Sequence, residues 1–277
     1  MKNLSIFAKP ANYFRTTPRF DYPHLQRGSS MIRGAQVAEY LGAKYNPKTD
    51  YENDVCIYVK QGDPSIMKDG SFVDVLDSLF HANLFRDFPK IGIIVCSKSS
   101  FDYLKERKFK NNIVFIPQHH CNFDNILRDR KEITTVGTIG SMDSFEYPVE
   151  EFRKKMEENG LKYVTNYSFA NRGDVVDFYK QIDIQVSWNT RVDKFKNPMR
   201  IINAASFGIP TVAFPEVGFK EFEDNFIPAK TIEELIAEVI KLKDQDYYNR
   251  FSSKIIKETE PYHISKIAEK YRELCKE

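Results

Sequence analysis

The sequence predicts an α/β protein made of two doubly wound, Rossmann-like halves. Short apolar, β-branched runs alternate with amphipathic helical stretches along nearly all of the 277 residues, which is the grammar of parallel sheets covered by helices. That grammar stops in the polar stretch Cys121–Lys131 and then starts again. The length also suits two domains of roughly 120 residues better than one very wide sheet.

In the first half, Asn3–Ala8 reads as a strand, followed by a long polar segment to Gly28. A helix over Ser30–Leu41 is predicted by Met31, Ala35, Val37, Ala38 and Leu41 on one side. Strands follow at Asp54–Lys60 and Ser71–Leu76, joined through Gly62, Asp63 and Pro64. Asp77 leads into a helical stretch, Ser78–Arg86. Ile91–Cys96 is a buried strand, Ser97–Arg107 a helix opened by serines, and Ile113–Ile116 a short strand ended by Pro117. The boundary is placed after residue 124, giving domains 1–124 and 125–277. The second half runs through strand Thr134–Ile139, helix Pro148–Asn159 and strand Lys162–Thr165. Strands Asp183–Trp188 and Ile209–Phe214 then flank a helix that Asn197 caps, Pro198 opens and Gly208 ends. The tail, Thr231–Leu242 and Tyr247–Cys275, is mostly helical with a break near Pro261.

A composition 42% hydrophobic and 29% charged is globular. With 41 basic against 39 acidic residues, the net charge of +2 does not support a nucleic-acid binder with a wide basic face. No apolar run approaches the roughly 18–20 residues that span a bilayer. The opening, MKNLSIFAKPANYF, lacks a signal-peptide core. Cys56, Cys96, Cys121 and Cys275 include no C-x-x-C pair, so neither a zinc clip nor a redox motif is expected. A cytoplasmic, reducing setting follows.

The stretch Asp174–Glu221 carries the most functional information. Its polar loop holds Arg191, Lys194 and Lys196 and opens onto a helix with Arg200 in its first turn. Cations around a helix start, at the carboxyl edge of parallel strands, are a site for phosphate or pyrophosphate. Asn203, one turn along, either bonds a ribose hydroxyl or sits on a polar helix face. The turn Gly137–Ser141 brings Gly140 and Ser141 either to phosphate oxygens or simply round a tight corner. Arg27, Ser29 and Arg33 belong to a glycine-bounded turn that either faces a bound phosphate or only caps the next helix. Asp77 is a candidate base or a helix cap. His119 and His120 are adjacent, and neighbours rarely point at one ion. They read as hinge or cleft residues, and no metal is expected. The cluster Lys105–Lys110 is an exposed helix end or a patch for an anionic membrane surface.

The order of these motifs resembles that of GT-B glycosyltransferases, two-domain enzymes that use nucleotide sugars. Thr135–Ser141 is similar to the strand and glycine turn that open the family's C-terminal domain. Asp174–Ser187 resembles its D-V-x-x-x-Y-x-x-x-D-I-x-V-S segment, and Lys196–Ala213 its K-x-P-x-R-x-x-N/E-A-x-A-x-G-I-P-V-V-A segment. Glu216-Val-Gly218 with Glu221 is similar to its glycine and glutamate loop. The resemblance implies two Rossmann-like domains facing across a cleft, with the last helix, about 262–277, crossing back onto the first. It implies a donor site of Gly140, Ser141, Arg191, Lys194, Asn197, Asn203, Glu216 and Gly218, with Lys196 and Arg200 near the diphosphate. Asn203 stands where the family commonly has a glutamate that holds the donor ribose. The expected activity is metal-independent transfer from a nucleotide sugar to a sugar, lipid-linked or protein acceptor, with Asp77 as base and no cofactor beyond the donor. The alternatives are a GT-B-fold sugar-nucleotide epimerase or hydrolase and a non-catalytic nucleotide-sugar-binding protein.

Overall fold

The computed structural model describes residues 2–8, 28–127, 130–142, 145–190 and 195–276. Arg27, Arg191 and Lys194 lie outside the described residues. The chain divides into two compact units. The first holds the residues up to His119, the short segment ending at Asn197, and Ile264 onward. The second holds His120 to Asp193 and Pro198 to His263, so the chain passes between the units four times.

In the first unit, β1 (Leu4–Ala8) leads through a π-helical turn, Ser30–Ala35, into α1 (Gln36–Leu41) and β2 (Lys44–Tyr45). Then come β3 (Val55–Val59), β4 (Phe72–Leu76), α2 (Leu79–Leu84), β5 (Gly92–Val95), α3 (Lys98–Glu106) and β6 (Ile113–Phe115). The strands form one sheet of order β2-β1-β3-β4-β5-β6, every pair parallel. Strands such as VCIYV and GIIV are apolar throughout because helices cover both faces. Val73, Val75, Ile93 and Val95 pack with Ala82, Phe85 and Leu104 from α2 and α3. The edge strand β2 is two residues long and had no sequence signal.

The second unit repeats the arrangement with β7 (Thr135–Ile139), α4 (Val149–Glu158), β8 (Lys162–Asn166), α5 (Arg172–Gln181), β9 (Ile184–Ser187), α6 (Met199–Ser206) and β10 (Thr211–Ala213). A kinked 3-10 segment, Val217–Asn225, precedes β11 (Ile227–Pro228), α7 (Ile232–Lys241) and α8 (Gln245–Thr259). The order is β11-β10-β9-β7-β8, again parallel throughout. Its core joins Val136, Ile184, Val186 and Val212 to Phe152, Met156, Leu235 and Val239 of α4 and α7. The last helix, α9 (Ile264–Glu273), belongs to the first unit, with Ile264, Ile267, Ala268 and Tyr271 buried.

Both sheets therefore have a topological switch, where the chain winds first one way and then the other. It falls between β1 and β3 in the first and between β7 and β9 in the second. In open α/β sheets ligands bind beyond the carboxyl ends of the strands at such a point.

Candidate functional site

In the second unit the strands part at the switch. Pairing of β7 with β9 runs only over Val136↔Ile184 and Gly137↔Gln185. Beyond it Thr138 Oγ1 donates to Val186 O at 3.1 Å, and Trp188 bridges to Phe145 instead. Gly140 lies at the mouth of this opening with φ +135°, a conformation that glycine adopts without strain. Ser141 beside it is exposed. Gly137 has a different task. A Cβ there would lie 2.5 Å from Ile182 Cγ2, so its bare backbone lets α5 approach β7. Sequence reasoning singled out no residue at the end of β9, yet Ser187 Oγ is buried there with no hydrogen-bond partner among the described residues.

The helix α6 begins one residue later than the sequence suggested. Pro198 stands at its cap position with no side-chain cap bond. Asn197, expected as the cap, instead donates Nδ2 to Cys96 Sγ at 3.6 Å. A helix start at the carboxyl end of parallel strands, with its first-turn amides and positive dipole end there, is the kind of place that receives an anion. A buried polar network fixes this turn from below. Tyr179 Oη donates to Gln185 Oε1 at 2.9 Å, and Gln185 Nε2 donates to Arg200 O and Thr211 Oγ1, each at 3.0 Å. Arg200 is half-buried. Burial pushes its guanidinium below the ordinary arginine value, while the Glu216 carboxylate pulls it back up. Glu216 is 6% exposed and Gly218 is buried at the start of the 3-10 segment.

Asn203, expected at the donor ribose, has its amide oxygen engaged within the second unit. Its Oδ1 accepts from Cys121 N–H at 2.8 Å and so ties the 120s segment to α6. Lys196 and Asn197 are half-buried and belong to the first unit, where Phe195 packs edge-on against Tyr103, 5.5 Å between centroids.

In the first unit Asp77 is exposed and its Oδ1 is paired with Lys60 Nζ. It follows Leu76, whose φ of +49° is uncommon for a side chain of this kind. Arg33, expected at an open cleft, is 0% exposed. Its Nε donates to Asp74 Oδ2 at 2.7 Å and its Nη1 to Ile116 O and Pro117 O, both at 2.8 Å. That ion pair, formed across 41 residues of sequence, places Arg33 in the interior. Ser29 is half-buried and makes no cap bond with its side chain. His119 is buried and donates Nε2–H to Ile32 O at 2.9 Å. His120, in the second unit, lies 5.4 Å from the His263 ring. Among the described residues no three His, Cys, Asp or Glu side chains gather as metal ligands.

No family model matches the sequence, and no curated protein matches it. Solved structures do. The chain is similar to HepE from Anabaena in complex with UDP and glucose, at 12% identity and TM-score 0.62 over 99% of both chains. It is also similar to WaaG, a glycosyltransferase involved in lipopolysaccharide biosynthesis, at 9% identity and TM-score 0.58 over 99% of both. This chain has the GT-B glycosyltransferase fold. A third GT-B neighbour, from the GtfA/B complex, has TM-score 0.55 and 12% identity; the match covers 82% of this chain and 53% of that one. Within the GT-B fold the parted end of β7 and β9 and the start of α6 both lie in the second Rossmann-like domain.

Proposed function

We propose that the chain is a glycosyltransferase that takes a sugar from a nucleoside-diphosphate donor, held by the second unit. The observation that carries this reading is the switch-point opening between β7 and β9, with Gly140 at its mouth, in the same unit as the start of α6 and Arg200. Backbone amides and a fixed cation stabilise the charge that builds on a leaving diphosphate. HepE, of matching length and fold, was solved with UDP, which supports a uridine nucleotide as the first probe. Lys196, three residues before α6, is assigned as a second cation for the diphosphate, and Asp77 as the base that accepts the acceptor's proton. The charge on the leaving group is met in this scheme by side chains and amides, without a metal. With the Asn203 oxygen bonded to Cys121 N–H, Glu216 is assigned as a further group for the donor ribose.

Calorimetric titration with UDP and UDP-glucose tests the donor site. Arg200→Ala is expected to weaken UDP binding about 10- to 100-fold, the loss of one or two charge-assisted hydrogen bonds. Turnover should fall with it. Absence of binding by every nucleotide sugar, or binding with neither transfer nor donor hydrolysis, would sink the transferase reading. Product formed without an acceptor would favour an epimerase or hydrolase.

A further inference from the structure

The outer helices of the first unit carry an apolar strip that the donor site does not use. Four of the eight large hydrophobic side chains exposed among the described residues fall between positions 66 and 88. They are Ile66 at 82%, Phe80 at 68%, Leu84 at 45% and Phe88 at 38%. Phe80 and Leu84 are four apart on α2 and so share a face, and Phe88 continues it beyond the helix end. The core is served by the opposite face, through Ala82 and Phe85. Nothing inside the unit calls for aromatic or branched residues at 80, 84 and 88, and exposing them together favours association.

A basic tract borders this strip. Arg86, Lys105, Arg107, Lys108 and Lys110 are all exposed. Their adjacency is fixed by bonds. Arg86 Nη2 donates to Arg107 O at 3.4 Å, with its guanidinium 5.2 Å over the Phe109 ring. Asn111 Nδ2 lies 2.9 Å from each of Phe85 O, Phe88 O and Ile91 O, pinning the turn after α3 to the end of α2. The acidic residues on these turns are Asp87 and Glu106, leaving five cations against two anions. For a chain whose net charge is +2, that is a local concentration.

We propose that this face docks on an anionic lipid bilayer, with Phe80, Leu84 and Phe88 entering the headgroup region and the basic tract on acidic headgroups. The combination favours lipid over other polyanions. Long cations give salt-sensitive attraction to any anionic surface, but an exposed strip of Phe and Leu gains only where there is an apolar phase to enter. The proposal does not depend on the transferase reading, because binding is measured without substrate.

Co-sedimentation with vesicles of phosphatidylcholine, alone and in equal mixture with phosphatidylglycerol, tests it. The wild-type chain is expected to pellet with the anionic vesicles at low salt and to be released as salt rises. Replacing Lys105, Arg107, Lys108 and Lys110 by Gln should weaken binding about 100-fold or more, since each cation near the surface contributes about a five-fold factor. The Phe80→Ser, Leu84→Ser, Phe88→Ser variant should also lose binding while its thermal unfolding stays cooperative. Equal binding to neutral vesicles, no binding to anionic ones, or undiminished binding of the apolar variant would overturn the proposal. So would a concentration-dependent dimer abolished by the same three changes, which would assign the face to a second copy.

Discussion

Asp74 anchors a buried polar cluster in the first unit. Its Oδ2 accepts from Arg33 Nε at 2.7 Å and from Tyr271 Oη at 3.0 Å, and its Oδ1 accepts from Leu76 N–H at 3.3 Å. Burial works against the Arg33 charge, yet Asp74 and Tyr271 outweigh it and hold the guanidinium above its ordinary value. The cluster joins the turn before α1, strand β4 and the returning helix α9. Asp74→Ala should therefore destabilise the protein by about 3–5 kcal/mol, the penalty of an uncompensated buried charge. Tyr271→Phe should lower stability by about 1 kcal/mol. Urea unfolding checks both, and a near-neutral Asp74→Ala would mean that Arg33 is not held as described. At this scale little was legible in the sequence. Arg33 read as a cleft residue or part of a helix-capping turn, and Asn203 as a ribose contact or part of a polar helix face, because the partners that hold them lie 41 and 82 residues away. Arg200 was easier to read, since a helix start after a proline is a local signal.

At the scale of elements, the parallel sheets were legible because buried strands write themselves as short apolar runs bounded by glycine, proline and serine. Edge strands β2 and β11, each two residues long, leave no such run. The 3-10 segment Val217–Asn225 lacks helical periodicity and kinks at Phe222, so it read as a loop. Gly137 and Gly140 looked like one phosphate turn but answer to different constraints, helix approach and a positive φ. Gly137→Ala, pressed on Ile182 Cγ2 at 2.5 Å and Phe178 Cζ at 2.9 Å, is expected to destabilise by about 1–3 kcal/mol. Thermal unfolding measures it, and a stabilised variant would show that α5 can shift outward freely.

Across the whole molecule, burial sets the response to alkali. It pushes the Cys96 and Cys121 thiols up to about 12 from an ordinary 9.0 and raises the phenols of Tyr163, Tyr179, Tyr262 and Tyr271. The folded chain thus binds these protons more tightly than the unfolded one. The stability they contribute is complete below the unfolded values of 9.0 and 10.0 and is lost as pH rises toward the folded ones. Tm should fall steeply above about pH 9–10, with tyrosinate absorbance rising in step with unfolding. A smooth phenol titration at unchanged Tm would contradict it. The four passages of the chain between units carry a further consequence for synthesis. A nascent chain that has emerged as far as His263 contains all the strands of the first sheet but lacks Ile267, Ala268 and Tyr271, which that unit buries. A chain ending at His263 should show weak hydrogen-exchange protection in β1 and β4, far from the cut in sequence. The first unit is therefore completed only after the strands of the second have been made, and a stall between His263 and Tyr271 strands the part made first.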